Sequence, residues 1–115
     1  MIVTTVMAQL IVSDLDVAAE FYSTLFDRGP DATPMDKLLE WHFEGSGAIQ
    51  VYEEPERAGK SGVTINVSDL DAEVAALDWS GIDHDPIMDA TFVRIVQLQD
   101  PDHNRIVLAG PKSSV

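Results

Sequence analysis

Three histidines, twenty carboxylates and no cysteine set the range of chemistry open to this 115-residue chain. Without cysteine there is no thiolate nucleophile, no disulfide and no sulfur-ligated zinc site. His84 stands between Asp83 and Asp85. Neighbours in sequence rarely converge on one ion, so a solvated acidic loop is expected there. Asp100, Asp102 and Asn104 have the alternation of a calcium loop, but Arg105 occupies the obligatory glycine position and Pro111 the glutamate position. That segment reads as a hairpin turn, with His103 inside it. His42 follows Trp41 in an apolar run and is expected to face the opposite way. No glycine-rich phosphate loop or nucleophile elbow is present. What remains is a set of amides, hydroxyls and aromatics: Gln9, Trp41, Gln50, Tyr52, Thr64 and Asn66. Such side chains stack on and orient a small molecule better than they break its bonds.

The charge balance narrows the partners. Seven Lys plus Arg against twenty Asp plus Glu give a formal net charge of −13. That field repels nucleic acid and anionic lipid and draws cations toward a cleft. No basic segment precedes the first apolar stretch, which is too short to span a bilayer, so the expected location is cytoplasmic.

The elements that must position these side chains come in two copies. Val-Ser-Asp-Leu-Asp occurs at Val12–Asp16 and again at Val67–Asp71, each time after an apolar run. Strand patterns cover Ile2–Val12, Leu38–Glu44 and Ala48–Glu53 in the first half. In the second they cover Val63–Val67, Phe92–Gln99 and Arg105–Ala109. Ser13 with Asp16, and Ser68 with Asp71, have capping-box spacing. Ala18, Phe21, Tyr22 and Leu25, then Leu70, Val74 and Leu77, recur at helical period. Gly29-Pro30 and Gly81 are the expected stops. One further short strand is expected in the loop Asp31–Asp36 or Asp83–Asp89. The whole predicts one α+β domain over residues 1–110, with modules at about 1–54 and 62–110 and a tail at 111–115. Pairing Phe43 with Ala48 across the first hairpin puts Trp41 opposite Gln50 on the sheet face turned from the helices. On that reading, truncating Trp41 costs binding and spares the fold.

The duplicated strand–Val-x-Asp-Leu–helix unit, the pair Phe21-Tyr22 and the turn Asp100–Asn104 before a final apolar strand resemble the vicinal-oxygen-chelate superfamily. That group includes glyoxalase I, bleomycin-resistance proteins and extradiol dioxygenases. The resemblance covers roughly residues 3–110. It implies two βαβββ modules forming a curved mixed sheet around a cleft, with helices on the outer face. It also implies four metal-ligand positions, which here read Met7, Gln50, Gly62 and Val107. Three of these offer no donor for a hard or borderline cation, so no metal and no cofactor is expected. The implied function is metal-free capture of a small cationic or aromatic compound, in the manner of bleomycin-resistance proteins, by a homodimer. The alternative is a glyoxalase-like lyase or isomerase with displaced ligands and a carboxylate base such as Glu40 or Glu44.

Overall fold

The computed structural model describes residues 1–112. β1 (Met7–Val12) leads into α1 (Leu15–Phe26), β2 (Leu38–Phe43) and β3 (Gly47–Glu53). The same order returns as β4 (Gly62–Asn66), α2 (Leu70–Ser80), β5 (Met88–Asp89), β6 (Val93–Gln99) and β7 (Arg105–Pro111). Two mixed sheets result, ordered β1-β3-β2 and β4-β7-β6-β5. β1 is parallel to β3 and β4 parallel to β7, while each hairpin is antiparallel. This is the expected α+β architecture of duplicated βαβββ-like modules. The extra strand of the second module is β5; in the first it shrinks to a single bridge, Ala32 to Glu40. The first strand begins at Met7 rather than Ile2. Of the expected tail, Pro111 completes β7, and residues 113–115 lie outside the described residues.

The helix caps are aspartates, not the serines that the spacing suggested. Asp14 accepts from the backbone N–H groups of Asp16 and Val17, and Asp69 accepts from that of Ala72. A carboxylate satisfies free N–H groups as a hydroxyl does and also opposes the positive end of the helix dipole. Ser13 is released to another task, described below. α1 stops at Asp27, in the left-handed region at φ 56°, ahead of Gly29-Pro30. α2 stops at Gly81, as its sequence predicts.

Both helices lie on one side of the sheets. Leu10, Val12, Leu39, Val51, Ala18 and Tyr22 bury one half of the core, and Leu70, Leu77, Val96, Leu98, Ile106 and Leu108 the other. The hairpin between β2 and β3 departs from the expected register by one residue. Phe43 pairs with Gly47, so Trp41 lies opposite Ile49, and Glu40 lies opposite Gln50. The turn has three residues with Gly45 at φ 75°, which fixes that count. A one-residue slip exchanges the faces of the whole strand. Trp41 therefore points at α1, fully buried against Tyr22 and Phe26, with its indole N–H donating to the Arg28 carbonyl. It is a core residue, and its place in a ligand cleft is corrected. His42 moves the opposite way, onto the face it was expected to avoid.

One turn ties the halves together. Asp100 is 3% exposed and accepts from the Tyr22 hydroxyl at 2.7 Å, from the Asn104 amide at 2.8 Å and from two backbone N–H groups. Asn104, fully buried, also donates to the Ile11 carbonyl at 2.7 Å and accepts from Ser61 N–H at 2.9 Å. Ser13, freed from capping, donates through backbone and side chain to Asp102. His103 takes φ 73°, as the resemblance implies for a position where the family usually has glycine, so the turn can fold back on itself. Burial and the adjacent Asp100 push the Tyr22 phenol far above its ordinary range, so it remains a donor. No buried side-chain polar atom among the described residues lacks a partner.

Candidate functional site

With the helices covering one face, the opposite face of β1, β3 and β2 carries the polar side chains. Parallel pairing sets Gln9 beside Gln50, and the antiparallel hairpin sets Gln50 beside Glu40. The three join in a row. Gln9 Nε2 donates to Gln50 Oε1 at 3.4 Å, and Gln50 Nε2 donates to Glu40 Oε2 at 2.7 Å. Glu40 Oε1 lies 2.8 Å from His42 Nε2. The Glu40 side chain is 8% exposed and that of His42 51%, so the row runs from a sunken carboxylate to an accessible imidazole. Hydrogen bonds from His42 and then Gln50 hold the Glu40 carboxyl below the usual carboxylate range despite its burial. The group is an anion at neutral pH.

The backbone around this row is anchored as well. Asp31 accepts from His42 N–H at 2.7 Å, and Arg28 bridges Asp31 and the His42 carbonyl. These contacts hold Asp31 below its ordinary range, the His42 amide contributing most. Glu40 N–H and carbonyl pair with Ala32. The strand edge that carries the carboxylate is thereby fixed.

Sequence reasoning placed Gln9, Gln50 and Tyr52 on this face, and the register puts them there, with Tyr52 half-buried between Ile11 and Leu38. Thr64 and Asn66 lie on β4, which belongs to the second sheet. They line a groove between the modules and join no hydrogen bond to the first row. The sequence reading missed the Glu40–His42 pair. The legible signal was Gly45: a left-handed glycine inside a three-residue turn would have given the right register. Arg94 faces α2, paired with Asp71 and Asp89, and takes no part. His84 is held by Asp78 and the Asp85 carbonyl at the far end of α2.

The metal positions of the resemblance do not fit a hard cation. Met7 has only a thioether, Gly62 nothing and Val107 an aliphatic side chain, leaving Gln50 alone. Gln50 is already engaged on both sides by Gln9 and Glu40. Among the described residues, no helix is long and apolar enough to cross a membrane.

No protein-family profile matches the chain, and no curated protein matches it in sequence. Solved structures do. A glyoxalase/bleomycin resistance protein from Catenulispora acidiphila is 28% identical over 92% of this chain and 96% of its own, with a TM-score of 0.84. An antibiotic binding protein from a Streptomyces species is 24% identical over 96% of this chain and 98% of its own, at TM-score 0.83. A lactoylglutathione lyase from Agrobacterium tumefaciens is 15% identical over 96% of each chain, at TM-score 0.79. The last two are likenesses of fold alone, and they join a binder and an enzyme on one scaffold. In its fold, with duplicated βαβββ-like modules, the chain is similar to the glyoxalase/bleomycin-resistance proteins, consistent with the vicinal-oxygen-chelate superfamily.

Proposed function

We propose that the chain captures a small organic cation, aromatic or planar in shape, without transforming it and without a metal. The observation that carries this reading is Glu40. It is a sunken, ionised carboxylate on the sheet face opposite the helices, with neither Lys nor Arg beside it. A ligand cation supplies the missing countercharge, the amides Gln9 and Gln50 fix its orientation, and Tyr52 offers a ring face. The net charge of −13 speeds encounter with a cation. Thr64 and Asn66 contribute from β4 if the ligand is long enough to reach the second sheet.

Calorimetric titration of metal-stripped protein with bleomycin and with acridinium and phenanthridinium dyes tests this. Saturable binding that Glu40→Gln weakens at least about tenfold is expected. No saturation, or an affinity indifferent to Glu40→Gln, overturns it. A parallel titration with Ni²⁺ and Zn²⁺ checks the donor argument: one tight ion per chain would restore the metalloenzyme reading.

A second reading rests on His42. A carboxylate that orients an exposed imidazole is the arrangement of a general base, and Glu40 holds Nε2 of the half-exposed His42 ring. In that case the chain is a metal-free isomerase or lyase that removes a proton α to a carbonyl. Solvent deuterium exchange into α-hydroxyketone substrates, followed by NMR, tests it. Exchange lost in His42→Ala favours the enzyme, and its absence in the unaltered protein eliminates this reading.

A further inference from the structure

Glu40 and His42 lie on one face of β2, and the imidazole meets the carboxylate through Nε2 at 2.8 Å. An ionised carboxylate only accepts hydrogen bonds, so the single N–H of a neutral ring belongs on Nε2 and donates to Oε1. A second proton, on the other ring nitrogen, leaves that bond in place and turns the neighbour of Glu40 into a cation. The pair then keeps its geometry while its charge goes from one negative to none.

No other cation is placed to do this. Arg28 reaches the same strand, but its guanidinium lies 5.4 Å from the centroid of the Phe43 ring, pairs with Asp31 and donates to the His42 carbonyl. Phe43 turns toward Phe26 of α1, which keeps that charge at the helix-side edge of the strand. Across the hairpin Ala48 stands opposite His42 and Gln50 opposite Glu40, and β1 adds Met7 and Gln9 beside them. None of these titrates. Asp31 meets the backbone N–H of His42, and Glu44 is exposed in the turn beyond it. Among the described residues, Glu40 is the one hydrogen-bond partner of the ring.

The strand itself is locked on its outer edge. Asp31 N–H donates to the Glu40 carbonyl at 2.8 Å, and Glu40 N–H donates to the Ala32 carbonyl at 2.9 Å. The Asp31 carboxylate takes the His42 N–H at 2.7 Å, and Arg28 donates to the His42 carbonyl at 2.6 Å. Protonation of the ring therefore acts by charge and not by moving the backbone. Glu40 stays an anion over the range in which an imidazole titrates, being held below its ordinary 4.5. In the second module Gln97 and Gln99 stand at the corresponding positions, and neither titrates.

We infer that His42 is an internal competitor for the cation site, the neutral ring leaving the Glu40 charge to a ligand and the imidazolium cancelling it and repelling the ligand. Capture at neutral or alkaline pH turns to release in mild acid. The switch rests on the capture reading and adds its regulation. Binding and protonation are reciprocal, so a bound cation expels the second proton.

Calorimetric titration of the full chain with N-methylacridinium, a cation whose charge does not vary with pH, reads the switch at about pH 8 and about pH 5. Working in about 0.15 M salt screens charges farther off than about 8 Å. The Kd should rise at least about tenfold in acid. His42→Gln keeps a neutral N–H donor for Glu40, and its Kd should change less than about threefold over the same interval. His42→Lys, charged at both pH values, should bind throughout as weakly as the unaltered chain does in acid. His84→Gln, in the second module, should retain the whole pH dependence. Titrations at about pH 6 in two buffers of unlike ionisation enthalpy should show protons released on binding, and none in His42→Gln. Equal affinity at both pH values, or a loss in acid that survives His42→Gln, would overturn the switch. So would a His42→Lys variant that binds as tightly as the unaltered chain at about pH 8. Each of these outcomes leaves the capture reading standing on saturable, Glu40-dependent binding, whereas no saturation at about pH 8 overturns both.

Discussion

The two modules share their grammar and differ in what they carry. Superposed through the repeat, Gln9, Gln50, Glu40 and His42 of the first correspond to Thr64, Val107, Gln97 and Gln99 of the second. The first set is a bonded row ending in a carboxylate and an imidazole; the second has neither. On the helix side the first module packs rings, Tyr22, Phe26, Trp41 and Phe43, where the second packs Leu77, Leu98 and other aliphatics. The hairpin turns differ in the same way: the first, around Gly45, is a short surface reversal, while the second carries the Asp100–Asn104 clamp. Duplication supplied one frame twice, and the site and the joint were assigned to different halves.

That contrast can be broken most severely in the core. Trp41→Ala should cost about 4 kcal/mol in urea denaturation, and its counterpart Leu98→Ala about 3 kcal/mol. A Leu98 cost equal to or above that of Trp41 would show that the rings do not make the first module the heavier core. The joint comes next. Asn104→Ala leaves the Ser61 N–H without its acceptor, removes the amide donor shared by the Ile11 carbonyl and Asp100, and should cost about 2–3 kcal/mol. Ser46→Ala in the first turn should stay within about 0.5 kcal/mol by the same measurement. Comparable losses would mean that the turns are not differentiated.

The carboxylate gives a smaller effect, read against pH. Because the Glu40 carboxyl is held below its ordinary value of 4.5, its stabilisation is present above that value and disappears as the pH falls below it. Glu40→Gln should flatten this acid limb of the melting curve, and Gln97→Glu in the other module should not restore either the limb or cation binding. The smallest effect belongs to His84, outside the repeat. Its bonds to the Asp85 carbonyl and Asp78 raise it above its ordinary 6.5, so its stabilisation is complete below 6.5 and is lost as the pH rises through the elevated value. His84→Gln should remove a slight fall in melting temperature across neutral pH.

How much was legible follows from the range of the interactions concerned. Periodicity, the repeated pentapeptide and the glycine stops located both helices, six strands and the duplicated α+β frame, because these depend on neighbours within a few residues. The absence of cysteine excluded thiolate chemistry before any fold was known. Other features required the tertiary structure. Trp41 and His42 exchanged faces through one residue of turn register, for which Gly45 was the local signal and the burial of the indole against Tyr22 and Phe26 the tertiary consequence. Asp14, rather than Ser13, became the cap because Ser13 is taken by Asp102, 89 positions away. Glu40 became a site because its partners arrive from β3 and from two residues along its own strand, on a face that only strand pairing could define. Composition and spacing fixed what this chain could build, since they act locally; which side chains meet was decided by register and by contacts between distant segments.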